Sequence, residues 1–199
     1  MRLLAPLALA MALGPAAASV ITFDSYQPRH EYTSTLSSDG FVFSSACDCL
    51  GVDDQVPQDL NGNPLPGAFN GTASLLYSRD PLTIAAEGGT AFFLNQLDLG
   101  LSWYVPDADV GMRILVTLLL AAGGTEVVGA DLDRRYSTVP VNREVVGVSI
   151  SGGRGFGYIT LDNLVVDENQ VPEPASAALA LLALVGAGTA VRRRPQASA

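Results

Sequence analysis

Between Gln96 and Val105 the chain alternates without a break. Leu97, Leu99, Leu101, Trp103 and Val105 fall on one side; Gln96, Asp98, Gly100, Ser102 and Tyr104 fall on the other. Period two is the side-chain spacing of a strand, so this run predicts a β-strand with its apolar face inward. Shorter runs at Val20–Asp24, Gly40–Ser44, Ser74–Tyr77, Leu82–Ala85, Thr125–Ala130, Val145–Ile150 and Gly155–Val166 read the same way. Arg113–Ala122 is apolar on both faces; Val116, Thr117 and the closing Gly123-Gly124 favour a strand over a short helix. Turn signals recur at Asn61-Gly62, Asn70-Gly71, Gly88-Gly89, Gly123-Gly124 and Gly152-Gly153. Many short strands with glycine-rich turns predict an all-β fold, a single sandwich of jelly-roll or galactose-binding-like type. Cys47–Gly71 has little periodicity and reads as one long loop. No internal repeat is visible.

The two ends follow a different rule. Arg2 precedes an apolar run, Leu3–Leu13, which is broken by Pro15 and followed by Ala16-Ala17-Ala18. This pattern predicts a signal peptide over residues 1–18, cut by signal peptidase after Ala18. At the far end an apolar stretch, Ala175–Val191, follows Val171-Pro172-Glu173-Pro174 and is closed by Arg192-Arg193-Arg194. It has the minimum length for a transmembrane helix, and the arginines would hold its end in the cytoplasm. The domain expectation is therefore a signal peptide at 1–18, a β-sandwich ectodomain at 19–170 and a membrane-inserted tail at 171–199.

Charge narrows the function. The chain has no lysine, which excludes Schiff-base and P-loop chemistry. Residues 19–171 carry seven arginines against nineteen carboxylates, a net of about −12. Such a domain repels nucleic acid and other anionic polymers unless a divalent cation bridges them.

The string from Val171 to Pro195 resembles a PEP-CTERM sorting tail: a Pro-Glu-Pro motif, a hydrophobic helix and an arginine cluster, in order. The same tail is also labelled the ice-binding-protein C-terminal motif. The resemblance implies recognition by an exosortase, a membrane transpeptidase that cleaves near Pro172, Glu173 and Pro174. It further implies release to the cell surface or extracellular space in bacteria that make extracellular polysaccharide. The middle is similar to the β-sandwich ectodomains found ahead of such tails. The similar pieces are Ile21-Thr22-Phe23-Asp24, Phe69-Asn70-Gly71-Thr72, Phe93–Leu99 and Leu161–Val166. That likeness implies a jelly roll like carbohydrate-binding modules, usually with no assigned activity.

Several polar groups are candidates for chemistry. Whichever face of the last strand is inside, Asp162 or Asn163 points toward it, and a buried carboxylate must be paired. One arrangement is a structural calcium ion shared by Asp24, Asp162 and Asn163; the other is hydrogen bonding to backbone at a strand edge. Asp59-Leu60-Asn61-Gly62-Asn63 opens like an EF-hand loop but fails at Pro64 and Asn70. Asp107/Asp109 and Asp131/Asp133 read as loop charges. Cys47 and Cys49 lie in an exported domain, where oxidation to a disulfide is expected, although a bridge across one residue is tight. His30 is the single imidazole, and no nucleophile elbow accompanies it. Sugar binding needs exposed aromatics, for which Tyr104 on the polar face is the candidate; Asn70, in the Asn70-Gly71-Thr72 turn, is a second candidate ligand-binding residue. Trp103, on the leucine face, reads as core. The expectation is a non-catalytic surface or matrix protein linked to extracellular polysaccharide, without an obligate cofactor. A calcium-assisted carbohydrate-binding module is the alternative, and a hydrolase the third.

Overall fold

The computed structural model describes residues 18–26, 29–53, 58, 61–78, 81–103, 105, 107–152 and 159–167. The expected signal helix, transmembrane helix 175–191, Pro-Glu-Pro motif and arginine triplet lie outside the described residues, as does Tyr104. Among the described residues no helix is long and apolar enough to cross a membrane.

The described chain is all β. Its strands are β1 (Ala18–Ile21), β2 (Arg29–Thr33), β3 (Thr35–Ser38), β4 (Phe41–Ser44), β5 (Leu50–Asp53) and β6 (Ser74–Tyr77). They continue as β7 (Leu82–Ala86), β8 (Phe92–Leu101), β9 (Arg113–Leu120), β10 (Thr125–Asp131), β11 (Ser137–Gly152) and β12 (Ile159–Asp167). Among the described residues every strand pairing is antiparallel, as expected of a chain joined by short glycine turns.

Two layers share one strand. β2-β5-β6-β12-β8 leads to the first half of β11, where Ser137–Val145 pairs with β8. The second half of β11 pairs with β9 on one side and β7 on the other, and β7 continues to β4 and β3. The register breaks between Pro140 and Arg143, with Asn142 in the left-handed region at φ 54°. That bulge bends β11 from one layer to the other. The inward faces meet in one core. Leu75, Leu99 and Leu161 of the first layer and Phe43, Ile84 and Ile150 of the second belong to the same buried cluster. Phe41 of β4 packs edge-on against Phe92 of β8 with ring centroids 4.9 Å apart, and Phe23 meets Phe43 at 5.2 Å.

Three differences from the sequence expectation have local causes. The strand expected at Gln96–Val105 runs from Phe92 to Leu101. Its buried residues step from Leu94 to Leu97, three apart, because the register with β12 shifts there, so the alternation changes phase inside the strand. The expected long loop at Cys47–Gly71 contains β5, a four-residue strand whose Leu50 is fully buried. Arg113–Leu120 is a strand, but one face alone meets the core: Ile114, Val116 and Leu118 are buried and Leu120 packs at the edge, while Leu115 and Leu119 are exposed.

β12 sits between β8 and, in succession, β6 and β1. Ala18 is the register partner of Asp167. The two ends of the sandwich therefore leave it side by side.

Candidate functional site

The outer face of the first layer carries a row of polar side chains. Asp98 of β8 is the register partner of Thr138 on β11 and of Asp162 on β12, while Ser74 of β6 faces Asp53 of β5. Asp162 is completely buried. Its Oδ2 accepts hydrogen bonds from Asn70 Nδ2 at 2.7 Å and Thr72 Oγ1 at 2.8 Å, and its Oδ1 accepts from the Asn163 amide at 2.8 Å. Asn163 has φ 46°, and the register with β8 shifts between Asp162 and Val165. This bulge adds one residue, so Leu161 and Leu164 both reach the core although three apart. It also turns the Asn163 side chain toward Asp98, whose Oδ2 accepts from Asn163 Nδ2 at 3.0 Å and whose Oδ1 accepts from Thr138 Oγ1 at 2.7 Å.

The segment from Gly67 to Ala73 lies over this row. It is fixed at both ends: the Ala68 amide donates to the Leu101 carbonyl at 2.8 Å, and the Ala73 amide donates to Asp24 Oδ1 at 2.9 Å. Asn70 and Thr72 hold it between those points through Asp162. Two glycines permit the close approach. A Cβ on Gly100 would collide with the Cβ of Ala68, and one on Gly67 would lie 2.6 Å from the Trp103 amide nitrogen. Beneath the segment Ser74, Ser102 and Thr160 are buried. Burial raises the Tyr136 hydroxyl above its ordinary pKa; the Ser74 and Thr160 hydroxyls oppose that shift, and the charges of Asp162 and Asp98 add to it. Thr160 Oγ1 stands near Tyr136 yet makes no hydrogen bond of good geometry.

A shallow cleft of about 30 Å³ opens at the edge of this segment. Its walls include Phe69 and Trp103; Asp53, Ser74, Ser102 and Thr160 supply its polar lining. Phe69 and Trp103 are each 37% exposed. A larger groove of about 210 Å³ lies at the end where the termini leave, lined by Phe41, Phe92, Phe93, Asp39, Glu144 and Asp167.

The structure sorts the residues singled out from sequence. Asp24, Asp162 and Asn70 converge on the turn at residues 70–73, all through hydrogen bonds. Asn163 serves the neighbouring carboxylate instead. The Asp162 oxygens accept from N–H and O–H donors, and among the described residues no group of three or more His, Cys, Asp or Glu stands together as a metal site. Cys47 and Cys49 form a disulfide, with Cys49 Sγ 2.9 Å from the Ser78 carbonyl. Asp107 pairs with Arg134, and Asp131 with Arg113. Trp103 corrects the sequence reading: β8 ends at Leu101, the alternation ends with it, and Ser102 turns in while Trp103 turns out. Phe69 and Thr160 were missed. Phe69 stands beside the Asn70-Gly71 turn, which marked it only as part of a loop, and Thr160 lies on a strand whose facing is fixed by the bulge.

Comparison with known proteins adds one specific match and several distant ones. No curated protein matches the chain. Solved structures with some likeness include TmCBM61 in complex with β-1,4-galactotriose, at 10% identity, covering 64% of this chain and 88% of that one, with a TM-score of 0.41. A mutant of CBM29-2, made to probe ligand recognition by family 29 carbohydrate binding modules, has 12% identity, covers 79% of this chain and 99% of that one, and scores 0.42. Scores of this size leave the fold to rest on the register and burial described above. The specific match is at the C-terminus, where residues 170–194 carry the PEP-CTERM protein-sorting motif of an exported protein handled by an exosortase.

Proposed function

We propose that this protein is a non-catalytic component of the cell surface or extracellular matrix, with a β-sandwich ectodomain (19–170) between a cleaved signal peptide (1–18) and a sorting tail (171–199). In this reading signal peptidase cuts after Ala18. The helix 175–191 holds the protein in the inner membrane, with Arg192, Arg193 and Arg194 on the cytoplasmic side. The exosortase then cuts near Pro172-Glu173-Pro174 and delivers the domain to a layer of extracellular polysaccharide.

The observation that carries this reading is the sorting motif placed directly behind β12. Ser19 pairs with Val166, so before cleavage both terminal segments leave one end of the sandwich and can enter the same membrane without crossing the domain. Residues 168–171 can span at most about 14 Å, so the enzyme works close to the folded domain. Two features favour a binding or structural role over catalysis. The carboxylate pair Asp98 and Asp162 is engaged by neutral donors, and Asp162 is sealed from solvent. The two cysteines are joined to each other.

The test replaces Pro172, Glu173 and Pro174 by alanine in the native host. The variant should remain full length in the inner-membrane fraction, while the native chain appears as a shortened form outside it. Unchanged processing of the variant would refute the sorting assignment.

A further inference from the structure

We infer that the cleft between Phe69 and Trp103 binds a neutral hexose polymer by taking one hydroxymethyl group into its polar floor. The inference rests on the reading above that the exported domain meets extracellular polysaccharide, and it names the site and the class of sugar.

Three observations converge on this cleft. The first is an unmet polar group. Thr160 is 3% exposed and lines the cleft, and among the described residues its Oγ1, although close to the Tyr136 hydroxyl, makes no hydrogen bond of good geometry. A buried hydroxyl without a partner is costly, so the position calls for a hydroxyl or a water. The second is size. The enclosed part of the cleft, about 30 Å³, has room for ordered water or for one exocyclic CH₂OH, while a pyranose ring would lie across its open mouth. A sugar hydroxyl placed there would displace a water and meet the same polar groups. The third is the pair of aromatics. Phe69 and Trp103 are large apolar side chains left more than a third exposed beside a polar floor, which suits the apolar face of a sugar ring lying across the mouth.

Both aromatics are held before any ligand arrives. Phe69 rides on a segment fixed by Ala68, Asn70, Thr72 and Ala73 through four hydrogen bonds. The backbone of Trp103 is pressed against Gly67. Little ordering remains to be done on binding, which favours affinity from a small contact. Charge sets the class. The exported region carries a strong negative charge, so uronic acids and sulfated sugars are repelled. Pentopyranose chains such as xylan have no hydroxymethyl group and would leave Thr160 unmet.

The chain has a single tryptophan, so its fluorescence reports on this cleft alone. The experiment uses the full chain in detergent micelles and follows Trp103 emission while adding oligosaccharides. The probes are β-1,4- and β-1,3-linked glucans, β-1,4-galactan, β-1,4-mannan, β-1,4-xylan and polygalacturonate fragments. At least one neutral hexose series should change the emission saturably. Its pentose counterpart should bind at least about tenfold more weakly, the discrimination expected for a lost group in a fitted pocket. Polygalacturonate should give no change. Phe69→Ala should weaken binding about tenfold or more with its melting temperature nearly intact, because Phe69 is partly exposed and lies outside the buried cluster. Thr160→Val, which keeps the side chain's shape, should abolish the preference for hexose over pentose. The inference is overturned if no hexose series changes the emission, if xylan binds equally well, or if Phe69→Ala binds as the native chain does. These outcomes are independent of tail processing, so failure here leaves the sorting assignment standing, and the reverse.

Discussion

Asn70 donates to Asp162 at 2.7 Å across 92 residues of sequence, and this bond ties the loop ahead of β6 to the last strand of the sandwich. Thr72 adds a second bond to the same oxygen, and Asn70 Oδ1 in turn accepts from the Thr72 amide. A buried carboxylate with three donors is satisfied without a counter-cation, and the segment over the outer sheet is fixed by it.

Asp162→Ala should therefore cost roughly 1–3 kcal/mol, because Asn70 Nδ2 and the Asn163 amide lose their acceptor while Thr72 Oγ1 keeps Asn70 Oδ1. Asp98→Asn, at a partly exposed position, should cost about 1 kcal/mol or less. Denaturant titration of the two variants checks the order. Equal losses would mean that Asp162 does not anchor the segment. Calcium should leave the melting temperature of the native chain unchanged; a calcium-dependent rise would return Asp24 and Asp162 to a metal site.

Tyr77 gives the opposite sign. Its ring is core, 2% exposed, and its hydroxyl has no hydrogen-bond partner among the described residues. Removing an unmet buried polar group while keeping the ring should stabilise the protein by about 1 kcal/mol. Tyr77→Phe is expected to raise the denaturation midpoint without changing the slope. A loss of stability would reveal a partner for that hydroxyl.

These contrasts show what the sequence could convey. β6, β7 and β10 were legible because their alternation keeps one phase from end to end, and β9, apolar on both faces, through Val116, Thr117 and the Gly123-Gly124 turn that closes it. β8 was read four residues late, since its phase changes between Leu94 and Leu97. β2, β3 and β5 are four or five residues long, too short to establish a period against their polar or glycine-containing surroundings. Asp162 was legible as a carboxylate in an apolar strand. Its partners were not, because Asn70 and Thr72 come from a distant turn and nothing local says which strand that turn will cover. Trp103 was read as core because the leucine alternation runs into it; its true facing depends on where pairing stops, which is a property of the neighbouring strands.

Alkaline pH should weaken the fold. Burial raises the hydroxyls of Tyr77 and Tyr136 above the ordinary value of 10.0. At pH above that value the unfolded chain loses these protons while the folded chain keeps them, so the folded state binds more protons and stability falls as pH rises. The stabilisation is complete below about pH 10 and is lost as pH climbs toward the folded-state values. Each group contributes a slope of about 1.4 kcal/mol per pH unit once fully in that window. Melting temperatures measured from about pH 8 to 11 should decline steeply at the upper end. Tyr77→Phe and Tyr136→Phe should each flatten the decline, and a native profile that is level through this range would contradict the assignment.

The Cys47–Cys49 disulfide should matter little to global stability, despite the general value of such bonds in exported domains. The bridge spans a sequence separation of two. Cross-linking constrains the unfolded chain in proportion to the logarithm of the loop it closes, so so short a loop gives under about 2 kcal/mol. Its local role is to hold the turn between β4 and β5, where Cys49 rests against the Ser78 carbonyl just after β6. Replacing both cysteines by serine should lower the denaturation midpoint only modestly and leave the Trp103 emission unchanged, since the cleft is lined by other residues. Hydrogen exchange should then rise at residues 45–50 alone. Global unfolding of the double variant would show instead that the bridge is required to close the sandwich.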